Sequence, residues 1–388
     1  MEPQTLRRRG GYGVRDVRPF SKEDMQAQLA EIMKNPQHVR INRHRFEQVA
    51  ALIPASIASR WYDAFQAADE HYKQPLPLHL NDRDWLHYVL IEDSQGYFMW
   101  QRERDGTVIP VTMHVEGIKY VGGSAITACH VRAIRRGHNI LNPGVIADFS
   151  MKDVEDHYRD EATGKITVQL LEGRLENFRE IGRVLGDEFG GHFLNVLKRA
   201  DGYLYREDGQ GLVQLLVTMF PKSCGSWPMC ATPNVVVLGL SNLRKSHRFA
   251  AEIDRLLAFK DLENIEAGAD YYRPLFFLRV GVFEISDELK QKLRRRELIE
   301  PGSQMEQEYR AWTVQAVHDL AQYVGSWPEA LPELADETHA QPFLRCRRCR
   351  VGISDEELPC SYRPVCKATH EDHELMDCGW PLVITSEY

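Results

Sequence analysis

Apolar positions recur at helical spacing from Lys22 to Lys34 and from Asn42 to Ile53, and Ser56 to Tyr72 reads the same way. PLPLHLNDRD (75–84) is a proline-containing connector. The period then shortens, and Trp85 to Leu90, Tyr97 to Arg102 and Val108 to Val115 are expected as short strands, with ERDGT (103–107) turning between the second and third. Helical spacing returns at Ser124, runs to Gly137 as a C-terminal cap, and resumes behind Ser150, where Asp153 completes a capping-box variant. Residues 170–200 form a long amphipathic stretch broken at Gly190–Gly191. Leu212 to Met219 continues the pattern up to Pro221. CGSWPMCATPN (224–234) reads as a loop, and VVVLGL (235–240) fits either a strand or a buried helix. Leu243 to Phe259 reads as one helix, SDELKQKLRRRELI (286–299) opens on a cap signal, and Glu306 to Val324 is the last strong helix. The expected fold is mostly α with a small β insertion at about 83–120.

Composition narrows this picture to a soluble globular protein of one large domain or two ordinary ones. The chain has 388 residues, 43% hydrophobic and 27% charged, enough apolar side chains for a sizeable core. FFLRVGVF is short and interrupted by Arg279, so no membrane span is expected. The first residues, MEPQTLRRRGGYG, lack the apolar core of a secretory signal. Cys129, Cys224 and Cys230 show no framework spacing, which fits reduced thiols in a cytoplasmic protein. A net charge of −8 is the wrong sign for a large nucleic-acid footprint, so no stable nucleic-acid partner is expected. The division expected is a flexible arm over 1–20, a main domain over 21–330, and a linker with a Cys-rich C-terminal segment over 331–388, packed on that domain. The oligomeric state leaves no signal in the sequence.

Several chemistries can be set aside. There is no P-loop, no dinucleotide fingerprint among the glycine-dense sites, and no GxSxG elbow. No HExxH or HxE…CxxC pattern marks a catalytic zinc. The tail does carry Cys346 and Cys349 as a CxxC, followed by Cys360 and Cys366. Those four thiols fit a structural zinc, ordinary free cysteines or a disulfide, and spacing alone leaves the three readings open.

What remains is a set of carboxylates and aromatics. Asp270 lies in ENIEAGADYYRPLFFLRVGVFEISDEL (263–289), next to Tyr271 and Tyr272 and just ahead of Arg273 and Pro274, where proline suits a first helical turn. It is either an N-cap or a catalytic carboxylate. Asp254 sits on the preceding helix. Glu172 and Arg174 are spaced to form a carboxylate–guanidinium pair. Tyr97, Phe98, Trp100 and Tyr120 provide flat faces, either for core packing or to sandwich a heterocycle near acids, as N-glycoside hydrolysis requires.

In order along the chain, WLHYVLIEDSQGYFMW, IKYVGG, LLEGR, FGGHFLNVL, a K-x-x-R helix, AGADYYRP and ISDELKQKL resemble the queuosine salvage protein family over roughly residues 40 to 325. The resemblance implies a helix–hairpin–helix DNA-glycosylase-like architecture. It also implies hydrolysis of queuosine 5′-monophosphate, a small-molecule nucleotide, to release queuine, with no metal or cofactor. Carried over residue by residue, the family's aromatic motif falls on Tyr97, Phe98, Met99 and Trp100, and its tyrosine before glycine on Tyr120. Its glycine block falls on Phe189 to Asn195 with His192 at the free position, and its acid–x–arginine on Glu172 and Arg174. Its basic helix start falls on Arg244 and Lys245 with Asp254 as the acid, and its Ala-Asp-Tyr on Ala269, Asp270 and Tyr271. The roles implied are Asp270 at the sugar, Asp254 at base or water, Tyr97 and Trp100 stacking the base, and Lys245 with Arg248 or Arg273 at the phosphate. Phe98, Tyr120, Glu172, Arg174, His192, Asn195 and Tyr271 would complete the binding set. Gly96, Ser124, Tyr272 and Leu275 depart from the family pattern, so a divergent member that binds or cleaves another modified nucleoside monophosphate is the alternative.

Overall fold

The computed structural model describes residues 20–59, 78–103, 105–325, 334, 337–339, 341–346, 349 and 360–386. Among the described residues the chain is mostly helical, with four two-stranded sheets. It divides into two compact units. One comprises residues 1–22, 66–265 and 385–388, and the other residues 23–65 and 266–384. The arm, the later part of the 56–72 helix and most of the 325–342 linker lie outside the described residues.

The first unit is built around the Leu171–Phe189 helix. Leu175, Phe178, Ile181, Leu185 and Phe189 recur every three or four residues and are buried along one face. The short Pro143–Ala147 helix packs directly on it at Gly182, where a Cβ would land on the backbone of Ala147 and Pro143. Trp100–Arg102 pairs antiparallel with Val108–Pro110, and Thr112–Val115 with Ile118–Val121. Next to the first pair, Glu103 N donates to Thr107 O at 2.8 Å.

Three expectations are corrected here. Residues 85–90 are helical, inside Asp82–Ser94, because Asn81 caps the segment by accepting from Asp84 N at 3.0 Å and Asp82 and Asp84 sit in the first turn. Buried Leu86, Leu90 and Ile91 then fall on one helical face. The loop expected over 224–234 is cut short, because the helix Ala231–Ser246 starts inside it and takes up VVVLGL, the helical one of its two alternatives. The helix foreseen over 243–259 is two, ending at Ser246 and restarting at Ala251. Asp82 holds the break open by accepting from His247 Nε2 and from Ala250 N, each at 2.9 Å.

The second unit centres on the Gln304–Val324 helix. Its Glu308 is wholly buried and accepts from the backbone N–H groups of Gln37, His38 and Val39 at 2.6–3.0 Å. That fixes the Val39–Ile41 strand, which pairs antiparallel with Phe283–Ile285. Between them in sequence, the Arg273–Arg279 helix is buried at every position. Leu298–Ile299 pairs in parallel with Leu382–Val383, so the tail is tied into this unit by backbone hydrogen bonds. Ser286 caps Asp287–Arg295 by accepting from Leu289 N. No described helix is long and apolar enough to cross a membrane.

Gly182→Ala tests the close approach in the first unit. Two backbones must separate to admit one methyl group, which is expected to cost about 3 kcal/mol and lower Tm by roughly 10 °C. A thermal melt of the variant matching wild type would show that the two helices part freely.

Candidate active site

In the first unit, Tyr97 and the turn leading into Phe98 pack on a buried guanidinium. Arg174 has no exposed surface. Its Nε donates to Gln169 O at 3.0 Å, and Nη1 and Nη2 donate to Gln95 O and Tyr97 O, each at 2.6 Å. Its cation lies 4.4 Å from the Tyr97 ring centroid and 5.3 Å from that of Tyr158. Every nitrogen is thus committed to a carbonyl. The expected pairing with Glu172 is not formed, and Glu172 points to solvent as an exposed residue. Arg174 instead clamps the turn that carries the aromatic motif, where Phe98 adopts a left-handed φ of 48°.

Tyr97, Phe98, Trp100 and Tyr120 are each at most 4% exposed. Phe98 rests against Trp100 with ring centroids 4.4 Å apart. A base therefore has no open ring face among these four in this conformation.

The glycine block places His192 ahead of the Phe193–Ala200 helix, stacked on His87 at 6.0 Å with a 19° tilt. His87, which the sequence pattern did not single out, is fixed on both sides. Its Nδ1 donates to Leu141 O at 2.7 Å and its Nε2 accepts from Phe193 N at 3.0 Å. Burial lowers its pKa and keeps the ring neutral. His192 Nδ1 is enclosed with no hydrogen-bond partner. Asn195 donates to Phe189 O at 2.8 Å, closing the Gly190–Gly191 turn.

Asp254 is half exposed and bound twice by Arg244, Nε to Oδ1 at 2.9 Å and Nη2 to Oδ2 at 3.1 Å. The pair joins two successive helices. Lys245 and Arg248 are exposed. Asp93, also overlooked in the sequence, is the reverse of an ordinary surface acid. Its Oδ2 is buried without a partner, and burial first, then the charge of Glu92, pushes its pKa well above the carboxylate range.

In the second unit, Asp270 stands at the head of the Arg273–Arg279 helix. Oδ1 accepts from the backbone N–H of Tyr272 at 2.7 Å and of Arg273 at 2.9 Å. Oδ2 faces Arg273 Nη1 at 2.7 Å and His339 Nδ1 at 3.0 Å. Asp270 stands two residues ahead of the N-cap, Tyr272, so it is not itself the N-cap, and its Oδ1 instead holds the turn that leads into the helix. Arg273 is fixed in turn by donating to Gly268 O. Burial alone would raise the pKa of Asp270, but the Arg273 guanidinium, His339 and the backbone N–H of Arg273 more than offset it and hold the carboxyl far below its usual range.

Aromatic rings line this carboxylate. Tyr271 and Tyr272 lie 4.8 Å apart, Trp380 lies 6.1 and 5.2 Å from them, and His339 meets Tyr272 edge-on at 5.3 Å. Trp380 Nε1 is buried with no partner, and Arg296 stacks over the Trp380 ring at 4.3 Å. The sequence reading missed His339 and Trp380. His339 lies within the Pro- and Glu-rich stretch 325–342, which has no periodicity, and Trp380 precedes a two-residue strand too short to show a pattern.

Among the described residues no group of three or more His, Cys, Asp or Glu is placed to hold a metal ion, and Cys346, Cys349, Cys360 and Cys366 are free thiols.

Residues 77–333 match the family model described as queuosine salvage protein. The chain belongs to that family. It is 26% identical over 247 residues to a mouse protein named queuosine 5′-phosphate N-glycosylase/hydrolase, covering 61% of this chain and 68% of that one. It is 28% identical over 260 residues to one so named from Sphaerobacter thermophilus, covering 66% and 75%. A third with that name, from Nematostella vectensis, is 24% identical over 306 residues, covering 79% and 84%.

The pairing of Asp270 makes a prediction about stability. A carboxyl whose folded pKa lies below the unfolded value of 3.8 stabilises the fold above that pH and loses its contribution as pH falls through the folded value. Asp270→Asn keeps an acceptor for the turn but leaves Arg273 and His339 without a counter-charge. Its melting temperature should fall below that of wild type near neutral pH. The gap should persist down to about pH 5 and shrink only under 3.8. Closure of the gap between pH 7 and 5 would mean that Asp270 is not held ionised.

Proposed function

We propose that this protein hydrolyses the N-glycosidic bond of queuosine 5′-monophosphate and releases queuine for salvage into tRNA, with Asp270 as the carboxylate at the sugar. The observation that carries the reading is the Asp270 cluster in a chain of this family: an ionised, mostly enclosed carboxylate held by four donors beside half-buried aromatic rings.

The C1′–N bond breaks through an oxocarbenium-like state, with negative charge developing on the leaving base. The carboxylate stabilises the cation and orients the water that adds to C1′. A proton from that water is lost as ribose 5-phosphate forms, and the departing base gains one. A depressed pKa suits the electrostatic part of this role, because Asp270 stays charged across the working range. Tyr271 and Trp380 supply partly open rings near the acid, while Tyr97, Phe98 and Trp100 serve as scaffold under Arg174. Asp254, committed to Arg244, is retained as a second acid only through a change of partner. The finer architecture we favour is helix–hairpin–helix glycosylase-like, with Asp270 ahead of a proline-started helix as its supporting feature.

A second reading draws on Tyr272, which stands where the family favours another residue and packs against both His339 and Trp380. On that reading the pocket takes a different modified nucleoside monophosphate.

Asp270→Asn should fold yet lose base release from queuosine 5′-monophosphate by about 10³-fold or more, as expected when charge stabilisation of a transition state is removed. Free base is measured by chromatography, with other nucleoside monophosphates in parallel. Undiminished turnover by the variant would refute the assignment, and release from a different nucleotide alone would favour the second reading.

A further inference from the structure

The family match ends at residue 333, yet one of the four donors on Asp270 lies beyond it. Residues 337–339 are anchored by Glu337, a buried carboxylate whose Oε1 accepts from Ser56 Oγ at 2.6 Å, Gln341 Nε2 at 2.7 Å and Tyr362 OH at 2.8 Å. Thr338 Oγ1 donates back to Leu334 O at 2.8 Å, a second tie next to His339. Two residues after that anchor, His339 comes to rest edge-on against Tyr272 with Nδ1 aimed at Asp270 Oδ2.

An ionised carboxylate only accepts hydrogen bonds, so Nδ1 of His339 carries the proton in either charge state of the ring. Oδ2 then receives two donors of different kinds. Arg273 comes from the residue's own helix and supplies fixed charge. His339 comes from the anchored segment and fixes direction. With Oδ1 already held by two backbone N–H groups, the His339 contact removes the remaining freedom of the carboxylate plane.

We propose that His339 is a positioning residue for Asp270, supplied by the segment that follows the family-matched stretch. The proposal rests on the assignment of Asp270 made above. His339 acts through Asp270 and need not touch substrate. Its loss should therefore slow the chemical step more than it weakens binding, since a misplaced catalytic group lowers kcat while leaving ground-state contacts intact.

The test compares queuine release from queuosine 5′-monophosphate by the full chain carrying His339→Ala, His339→Asn, His339→Gln, Asp270→Asn, and the Ala and Asp270→Asn changes together. Asn places its side-chain N–H close to where Nδ1 stood, whereas Gln places it nearer to Nε2. The expected result is a roughly 10- to 100-fold fall in kcat for His339→Ala with KM nearly unchanged, recovery in His339→Asn, and little recovery in His339→Gln. The double variant should be no slower than Asp270→Asn alone, because a residue acting through Asp270 has nothing left to position.

Wild-type kcat in His339→Ala, with Asp270→Asn inactive, would overturn this proposal and leave the reading of Asp270 standing. Full turnover by Asp270→Asn would instead refute that earlier reading. Should His339→Ala not fold, as judged by melting, the Asn and Gln variants decide: equal activity in the two overturns the proposal. The coupling is also readable without turnover, from a double-mutant cycle of unfolding free energies for Asp270→Asn and His339→Asn or His339→Ala. A cycle that is additive removes the contact on which the proposal stands.

Discussion

Asp270 sits in a conflict between burial and charge. Removing a carboxylate from water favours its protonated form, and its side chain here is only 23% exposed. The conflict is resolved on the charged side by two backbone N–H groups, a guanidinium and an imidazole N–H. Each donor has its own support. The N–H groups belong to a helix start that Pro274 favours, Arg273 is held by Gly268 O, and His339 is held by the Glu337 anchor. The local architecture of this part of the second unit can be read as what is needed to keep one carboxylate ionised and still. The same logic explains why the helix behind it is buried at every position, since a rigid acid needs a rigid base beneath it.

The first unit contains the mirror case. Arg174 is a cation with no exposed surface, and its guanidinium is satisfied entirely by carbonyl oxygens and ring faces. A buried charge without an opposite charge is tolerated here because each of three nitrogens finds a well-placed acceptor. Its effect is geometric. The acceptors at Gln95 and Tyr97 lie on the turn leading into Phe98, whose left-handed backbone costs about 1 kcal/mol or more and persists only when its surroundings hold it there. The aromatic motif is thus a constrained structural element first, and any contact with a ligand depends on rearrangement of rings now packed against one another.

Much of the helical framework was legible because periodicity and caps agree there. Ser150 with Asp153, Ser286, and the Lys22–Lys34 stretch come out as the pattern states. The failures have a common cause. At 85–90 the short apolar run concealed a cap four residues earlier, and at 247–250 the helical spacing ran straight through a break set by Asp82, more than 160 residues away in sequence. Local pattern cannot register a tertiary hydrogen bond. The site divides along the same line. Asp270 was visible because its neighbours in sequence are also its neighbours in space. The carbonyls around Arg174, the His87 clamp, the buried Asp93 and the donor at His339 were not, because each depends on residues brought together only by folding.

A low carboxyl pKa also limits what Asp270 can do. A strongly held carboxylate is a weak base, and general-base efficiency falls as the pKa drops away from the working pH. It is equally a weaker nucleophile toward C1′, since two of its lone-pair directions on each oxygen compete with donors already in place. What such a group does well is present fixed negative charge to a cation that exists only in the transition state, with no reorganisation at the moment of reaction. The surrounding donors weaken Asp270 as a base and keep its charge fixed, as the proposed role would require. Proton removal from the incoming water then becomes easy only after C–N cleavage has advanced and the water is bonding to a cationic carbon. In the role proposed for Asp270, such a carboxylate would suit a dissociative path, in which the base has largely departed before the water's proton is taken, better than one in which the carboxylate drives attack.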